Sequence, residues 1–289
     1  MKNSKFLISF GSPDLRKSIS RFLDQGQSLN FYNSVYVYSI NDLDKTSKDK
    51  VLDIIKNKGN KIGYGYSYWK PLIIKQALHQ AYENDIIHYV DLGCHLNSNG
   101  LNKLKFYLKK VSNSNKGILA FQYNPLDEFK TSDFEFPDIM EYKYTKADLL
   151  DYFKVLKDEK ITHTKQYWAG NIILKKNDFT LKFIDKWIDV FEKRFDLIDN
   201  TSSKIPNFQN FEHNKSDQSV YSILCKLNKI ESLSAYDCEW FYRNGVRYWD
   251  HTKNNPVIAK RDLRYNLFKR FINRQKKTFN RYYAKLFKS

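Results

Sequence analysis

Two rhythms of apolar residues alternate along this chain. Short runs such as Phe6-Leu7-Ile8-Ser9-Phe10, Val35-Tyr36-Val37-Tyr38-Ser39-Ile40 and Ile86-Ile87-His88-Tyr89-Val90 hold the β-branched and aromatic residues that suit strands. Each is followed by a stretch with apolar residues three or four apart, the spacing that makes one face of a helix: Asp14 to Leu23, Ser47 to Lys58 and Gly100 to Val111. Pro71 to Tyr82 is a further helix, with its proline in the first turn where the missing N–H is not needed. Ile118 to Tyr123 and Trp168 to Leu174 read as strands, and helices are expected from Thr145 to Phe153, Asn177 to Phe195 and Asp217 to Leu227. Between the last two, Asp199 to Lys215 is rich in Asn, Ser, Thr and Lys and reads as a loop of a length that is often functional. Strands alternating with helices predict an α/β fold with a mostly parallel sheet covered on both faces.

Composition narrows the class without choosing a function. A chain of 289 residues suits one large domain or one domain with appendages. With 42% hydrophobic and 28% charged residues, 10 Gly and 6 Pro, it is a folded globular protein, which excludes disorder as its main state. The net charge of +17 predicts anionic partners: nucleic acid, phosphorylated ligands or acidic lipid. That surplus is concentrated at one end, where Lys260 to Lys288 holds eleven Lys/Arg against Asp262 alone. We therefore divide the chain into a domain over 1–255 and a basic C-terminal tail over 256–289. On a helix, Phe268, Phe271, Ile272, Phe279, Tyr282, Tyr283, Leu286 and Phe287 fall on one side of the tail and Arg270, Arg274, Lys277, Arg281, Lys285 and Lys288 on the other. This is the pattern of a helix lying on an anionic membrane surface, although a solvated helix packed on the body has the same look. Cys94, Cys225 and Cys238 form an odd set without CxxC spacing, against a disulfide scaffold or zinc cluster and in favour of a reducing cytosol. No run approaches the ~20 apolar residues that span a bilayer, and the apolar start is too short for a signal peptide.

Candidate chemistry gathers in three segments. In His88-Tyr89-Val90-Asp91-Leu92-Gly93-Cys94-His95, an apolar strand delivers a carboxylate to its end, where ligands bind in open α/β sheets. A carboxylate with a histidine four residues on can hold a divalent cation, and Asp91 can equally be a turn cap beside an ordinary loop histidine. Gly63-Tyr64-Gly65-Tyr66-Ser67-Tyr68-Trp69-Lys70-Pro71 puts glycines, aromatic faces and a lysine before a helix N-terminus, which favours anions, or else plugs the core. Glu212-His213-Asn214-Lys215-Ser216-Asp217-Gln218-Ser219 is a polar cluster opening a helix that Asp217 is suited to cap.

Together with Leu7-Ile8-Ser9-Phe10-Gly11-Ser12, these segments resemble bacterial GT-A-type glycosyltransferases of capsule and lipopolysaccharide biosynthesis, over roughly residues 5 to 245. The resemblance implies a GT-A-like, Rossmann-type mixed and mostly parallel sheet flanked by helices. It implies a nucleotide-sugar donor, usually UDP-linked, a glycan or glycolipid acceptor, and a divalent metal, Mn²⁺ or Mg²⁺. By it, Asp91 takes the first acidic position of the metal motif. Gly93 stands where a second Asp is usual, so His95 and His213 are the further metal candidates, with Lys70 the alternative charge for the diphosphate. Phe10, Gly11 and Ser12 are then expected along the nucleotide, and Tyr68, Trp69, Lys70, Gly170, Asn171 and Gln218 around donor and acceptor. Asp217 is the expected catalytic residue, as general base of an inverting route or beside the oxocarbenium-like centre of a retaining one, toward which the resemblance leans. The protein is then cytoplasmic and peripheral on the inner face of the membrane. A nucleic-acid binder is the competing reading, which accounts for the tail and leaves Asp91 and Asp217 unused. An inactive glycosyltransferase-like scaffold is another, and it accommodates Gly93.

Overall fold

The computed structural model describes residues 3–58 and 63–260. Its central sheet has six strands: β1 (Lys5–Phe10), β2 (Ser34–Tyr38), β3 (Ile86–Val90), β4 (Ile118–Gln122), β5 (Tyr167–Lys175) and β6 (Glu231–Ser234). They lie in the order β2-β1-β3-β5-β4-β6. β1 pairs in parallel with β2 and β3, and β4 with β6, while β5 runs antiparallel to both of its neighbours. The sheet is therefore mixed and mostly parallel, as the alternation of patterns predicts. Every residue of β5 from Tyr167 to Leu174 is buried, and a strand covered on both faces reads alike in either direction.

The main helices are α1 (Arg16–Ser28), α2 (Lys45–Lys58), α3 (Trp69–Gln80), α4 (Leu101–Asn113), α5 (Asp178–Lys193) and α6 (Asp217–Leu227). Successive strand residues face opposite sides, so neighbours divide between two cores. Ile8, Ile87 and Ile172 pack under α3, α5 and α6 with Ile73, Trp187 and Tyr221. Leu7, Ile86 and Ile173 pack under α1 and α4 with Phe22, Leu104 and Val111.

One irregularity matters for the site. The pairing of β4 with β5 shifts register between Leu119 and Phe121, a bulge that changes which residues of β5 face which side. Trp168 and Ile173 end up in one core, Ala169 and Ile172 in the other.

Residues 199–215 form no strand, but their backbone is tied down. Lys204 and Ile205 N–H groups donate to Asp148, and the buried Lys146 ammonium donates to Asp196 O and Thr201 Oγ1. At the other end of the domain, Val257–Ile258 pairs with His95–Leu96, and Val257 is fully buried. The expected amphipathic helix over 267–288 lies outside the described residues. All three cysteines are free and buried, and burial pushes the Cys225 and Cys238 thiols well up. Among the described residues no helix is long and apolar enough to cross a membrane.

Candidate active site

Strand ends and helix starts converge on a cavity of about 580 Å³. Phe10 closes β1, Asp91 follows β3, Tyr123 follows β4, and Trp168 to Gly170 open the antiparallel β5 from the same side. Trp69 and Lys70 begin α3, and Asp217 and Gln218 begin α6. This is the crevice beyond the carboxyl ends of parallel strands, where successive connections turn away in opposite directions.

At its base the Lys70 ammonium donates to Asp217 Oδ2 at 2.6 Å and to Ala169 O at 3.1 Å, and lies 3.4 Å from Asp91 Oδ1. Those three oxygens match the three donors of an ammonium. Tyr89, from β3, donates its hydroxyl to Asp91 Oδ1 at 2.6 Å. Burial works against the charged form of Lys70, but Asp217 and Asp91 outweigh it and hold the ammonium above its ordinary range. Burial also pushes the Asp217 carboxyl up, with Lys70 opposing.

The aromatic wall begins with Phe10 and Trp69, stacked with ring centres 4.1 Å apart. Beside them Tyr64, Gly65, Tyr66 and Ser67 all hold positive φ, from 52° to 82°, a run of left-handed backbone that only Gly65 adopts without strain. Three of those residues, Tyr64, Tyr66 and Ser67, line the cavity.

The opposite rim is residues 213–218. Ser216 adopts φ 48°, ψ −111°, and its hydroxyl donates to Ile198 O. Asn214 donates to Leu197 O and Ile198 O, and the Lys215 N–H donates to Tyr144 O. These bonds hold a strained turn immediately before Asp217. The Lys215 ammonium lies over the Tyr144 ring at 4.2 Å and 5.5 Å from the centre of Tyr123. His213 stands against Tyr144, and burial together with Lys215 lowers its pKa, which keeps it neutral at pH 7.

Two supports reach the cavity from behind. Gln218 donates from Nε2 to Gln166 Oε1, and Gln166 donates to Glu141 Oε1, so the Gln218 amide nitrogen is turned toward Gln166. Glu141 is fully buried and also accepts from Thr145, Ser222 and Lys226. On the other side Arg21 donates to Leu92 O at 2.7 Å and to Cys94 O at 2.8 Å, strapping down the turn after Asp91.

Of the residues expected from sequence, Phe10, Ser12, Trp69, Lys70, Asp91, Gly93, Gly170, His213, Asp217 and Gln218 line this cavity. Four point elsewhere. Gly11 packs where a Cβ would meet Ile19 at 2.7 Å, so its role is close approach of β1 to α1. Tyr68 stacks on Phe191 and donates to Glu192, in a separate groove. Asn171 is fully buried between His88 and Cys238, on the same face of β5 as Ile173. His95 is held in the strand pair with Ile258 and lies 3.5 Å from Gln25. Sequence reading missed Lys215, Tyr123, Glu141, Gln166 and Arg21. The polar run 212–217 was a signal for Lys215, whereas nothing local marks the others.

These positions decide whether the residues suit the divalent metal that the resemblance implies. Gly93 offers no side chain, His95 is outside the cavity, and both carboxylates already face the Lys70 ammonium. Among the described residues no three His, Cys, Asp or Glu side chains converge to hold a metal by themselves. The donor set does not fit a metal.

No family model and no curated protein matches the chain. Among solved structures, it is similar to a glycosyltransferase involved in glycosylation of the major capsid of PBCV-1, at 11% identity and TM-score 0.45, covering 88% of this chain and 91% of that one. It is similar to mouse xyloside xylosyltransferase 1 at 9% identity and TM-score 0.42, covering 82% and 87%. A further similarity is to the galactosyltransferase LgtC, at 9% and 0.38, covering 89% and 84%. Likenesses this distant assign no chemistry, which must come from the cavity itself.

Proposed function

We propose that the protein is a GT-A-type glycosyltransferase that moves a sugar from a nucleotide-sugar donor, UDP-linked, to a hydroxyl of a glycan or glycolipid acceptor. The observation that carries this reading is Lys70, buried at the cavity base between Asp91 and Asp217 and beside the Phe10 and Trp69 rings. Glycosyl transfer needs a negative leaving group stabilised and a carboxylate at the reacting carbon, within a shielded pocket. A cavity of about 580 Å³ falls in the range of small-molecule and cofactor sites. The aromatic wall suits a base or sugar face, and Lys70 with Lys215 supplies positive charge to the diphosphate. Asp217, whose carboxyl burial raises, accepts the acceptor's proton in an inverting route or flanks the developing positive charge in a retaining one. The sequence resemblance favours retention and a role in surface polysaccharide assembly. In this reading residues 1–255 form the catalytic domain. The basic segment within 256–289 holds it on the anionic inner face of the membrane, where lipid-linked acceptors lie.

The test is a thermal-shift screen against UDP, GDP, CMP and their sugars. One nucleotide class is expected to raise the melting temperature, since a ligand at about 100 times its Kd stabilises by about 2.7 kcal/mol. No shift with any nucleotide would favour the scaffold reading.

A further inference from the structure

We propose that this site binds and activates its donor without a divalent metal, with Lys70 as its resident cation and Lys215 as a second charge at the rim. The inference rests on the nucleotide-sugar reading and deepens it. Two carboxylates, Asp91 and Asp217, face the cavity. A single divalent ion would balance them, and the two lysines supply the same total charge. Lys70 holds the place where such an ion would sit, with oxygens of Asp217, Ala169 and Asp91 within 3.4 Å of its nitrogen.

The ammonium is built in. Its carbon chain descends from the first turn of α3, the residue is 4% exposed, and the Phe10–Trp69 stack closes the site beside it. Deprotonation is resisted by the same two carboxylates. A divalent ion brought to Asp91 would meet a fixed positive charge a few ångströms away, and among the described residues no third His, Cys, Asp or Glu side chain joins Asp91 and Asp217 to hold it. Lys215 supplies charge from the opposite wall, where the Tyr144 and Tyr123 faces hold it at the cavity edge. When the sugar–phosphate bond breaks, the electron pair leaves with the β-phosphate oxygen, and the two ammoniums oppose the charge that develops there. The sugar carbon gains its new bond to the acceptor oxygen, whose proton passes to Asp217 or to the departing phosphate.

The test is calorimetric titration of the full chain, stripped of metal over a chelating resin, with UDP in EDTA and again with MnCl₂. Equal affinity in both, within about twofold, is expected, with no separate heat from MnCl₂ alone. Lys70→Met is expected to weaken UDP roughly 10–100-fold, through loss of the positive charge at the cavity base that offsets the two carboxylates. Because that change also unpairs Asp91 and Asp217, Lys215→Met serves as a second variant that leaves the base of the cavity intact. Its loss is expected to be roughly tenfold and to be the same in EDTA and MnCl₂. Affinity for UDP that rises roughly tenfold with MnCl₂, and loses that rise in Asp91→Asn, would overturn the proposal while leaving the glycosyltransferase reading standing. If UDP, GDP and CMP all fail to bind under both conditions, the nucleotide-sugar reading fails and takes this one with it.

Discussion

At Asp217, burial and the ammonium 2.6 Å away pull the carboxyl in opposite directions, and burial prevails. A carboxylate held above its ordinary value is a better proton acceptor and is more easily silenced by acid. The acid limb of kcat/KM is therefore expected above the usual carboxylate range, with activity falling as pH drops through it, in a pH–rate profile of donor turnover. Asp217→Asn is expected to cut transfer by about 10²–10⁴ while nucleotide-induced stabilisation persists, a split that separates chemistry from binding. Gly170 tests the cavity wall instead. A Cβ there would lie 2.4 Å from the Trp168 indole, so Gly170→Ala must displace that ring. Overpacking of this kind costs about 1–3 kcal/mol, readable as a lower urea midpoint, and UDP binding should weaken with it.

At the scale of elements, α6 is joined to the segment before β5 by one buried ion pair. Glu141 is fully buried, the Lys226 side chain is 6% exposed, and the two meet at 2.6 Å, with Thr145, Gln166 and Ser222 completing the carboxylate's partners. Glu141→Ala strands an ammonium in the interior and is expected to cost about 3–5 kcal/mol in equilibrium denaturation. The double change Glu141→Leu with Lys226→Met should cost less than the two single changes together, because neither charge is left alone. Since Gln166 passes this network on to Gln218, the same variants are expected to raise KM for the donor more than they lower kcat. None of this was legible beforehand. Glu141 lies outside every element expected from sequence, and apart from Thr145 its partners come from Gln166, just before β5, and from Ser222 and Lys226 of α6, up to 85 positions away.

For the whole molecule, one face of the sheet carries a buried titrating group. His88 is fully buried in β3, bonded to Tyr32 and Asn171, and burial lowers its pKa from 6.5 to about 4. The unfolded chain binds a proton near pH 6.5 and the folded one only near 4, so stability is complete above that window and declines as pH falls through it. The decline is expected to reach about 3 kcal/mol from this residue, with His213 and His251 adding in the same direction. Denaturation midpoints across the range check it, and a His88→Gln variant should show a shallower slope.

What the chain dictates by itself is what neighbours within a dozen residues can settle. The strand and helix patterns set the alternation of elements, the strand 86–90 carries Asp91 to its end, and the polar run before α6 puts Asp217 at a helix start. Hydrophobic period and helix-start chemistry are local properties, so they can be read without a fold. The tertiary structure decided everything that depends on distant pairing. It reversed β5, set Asn171 in the core against His88, and paired His95 with Ile258. It also joined Lys70 to Asp217 across 147 residues of chain. The residue types at the site were visible in sequence. Which of them face one another was set by register and strand direction, and a two-residue period leaves both open until the sheet assembles.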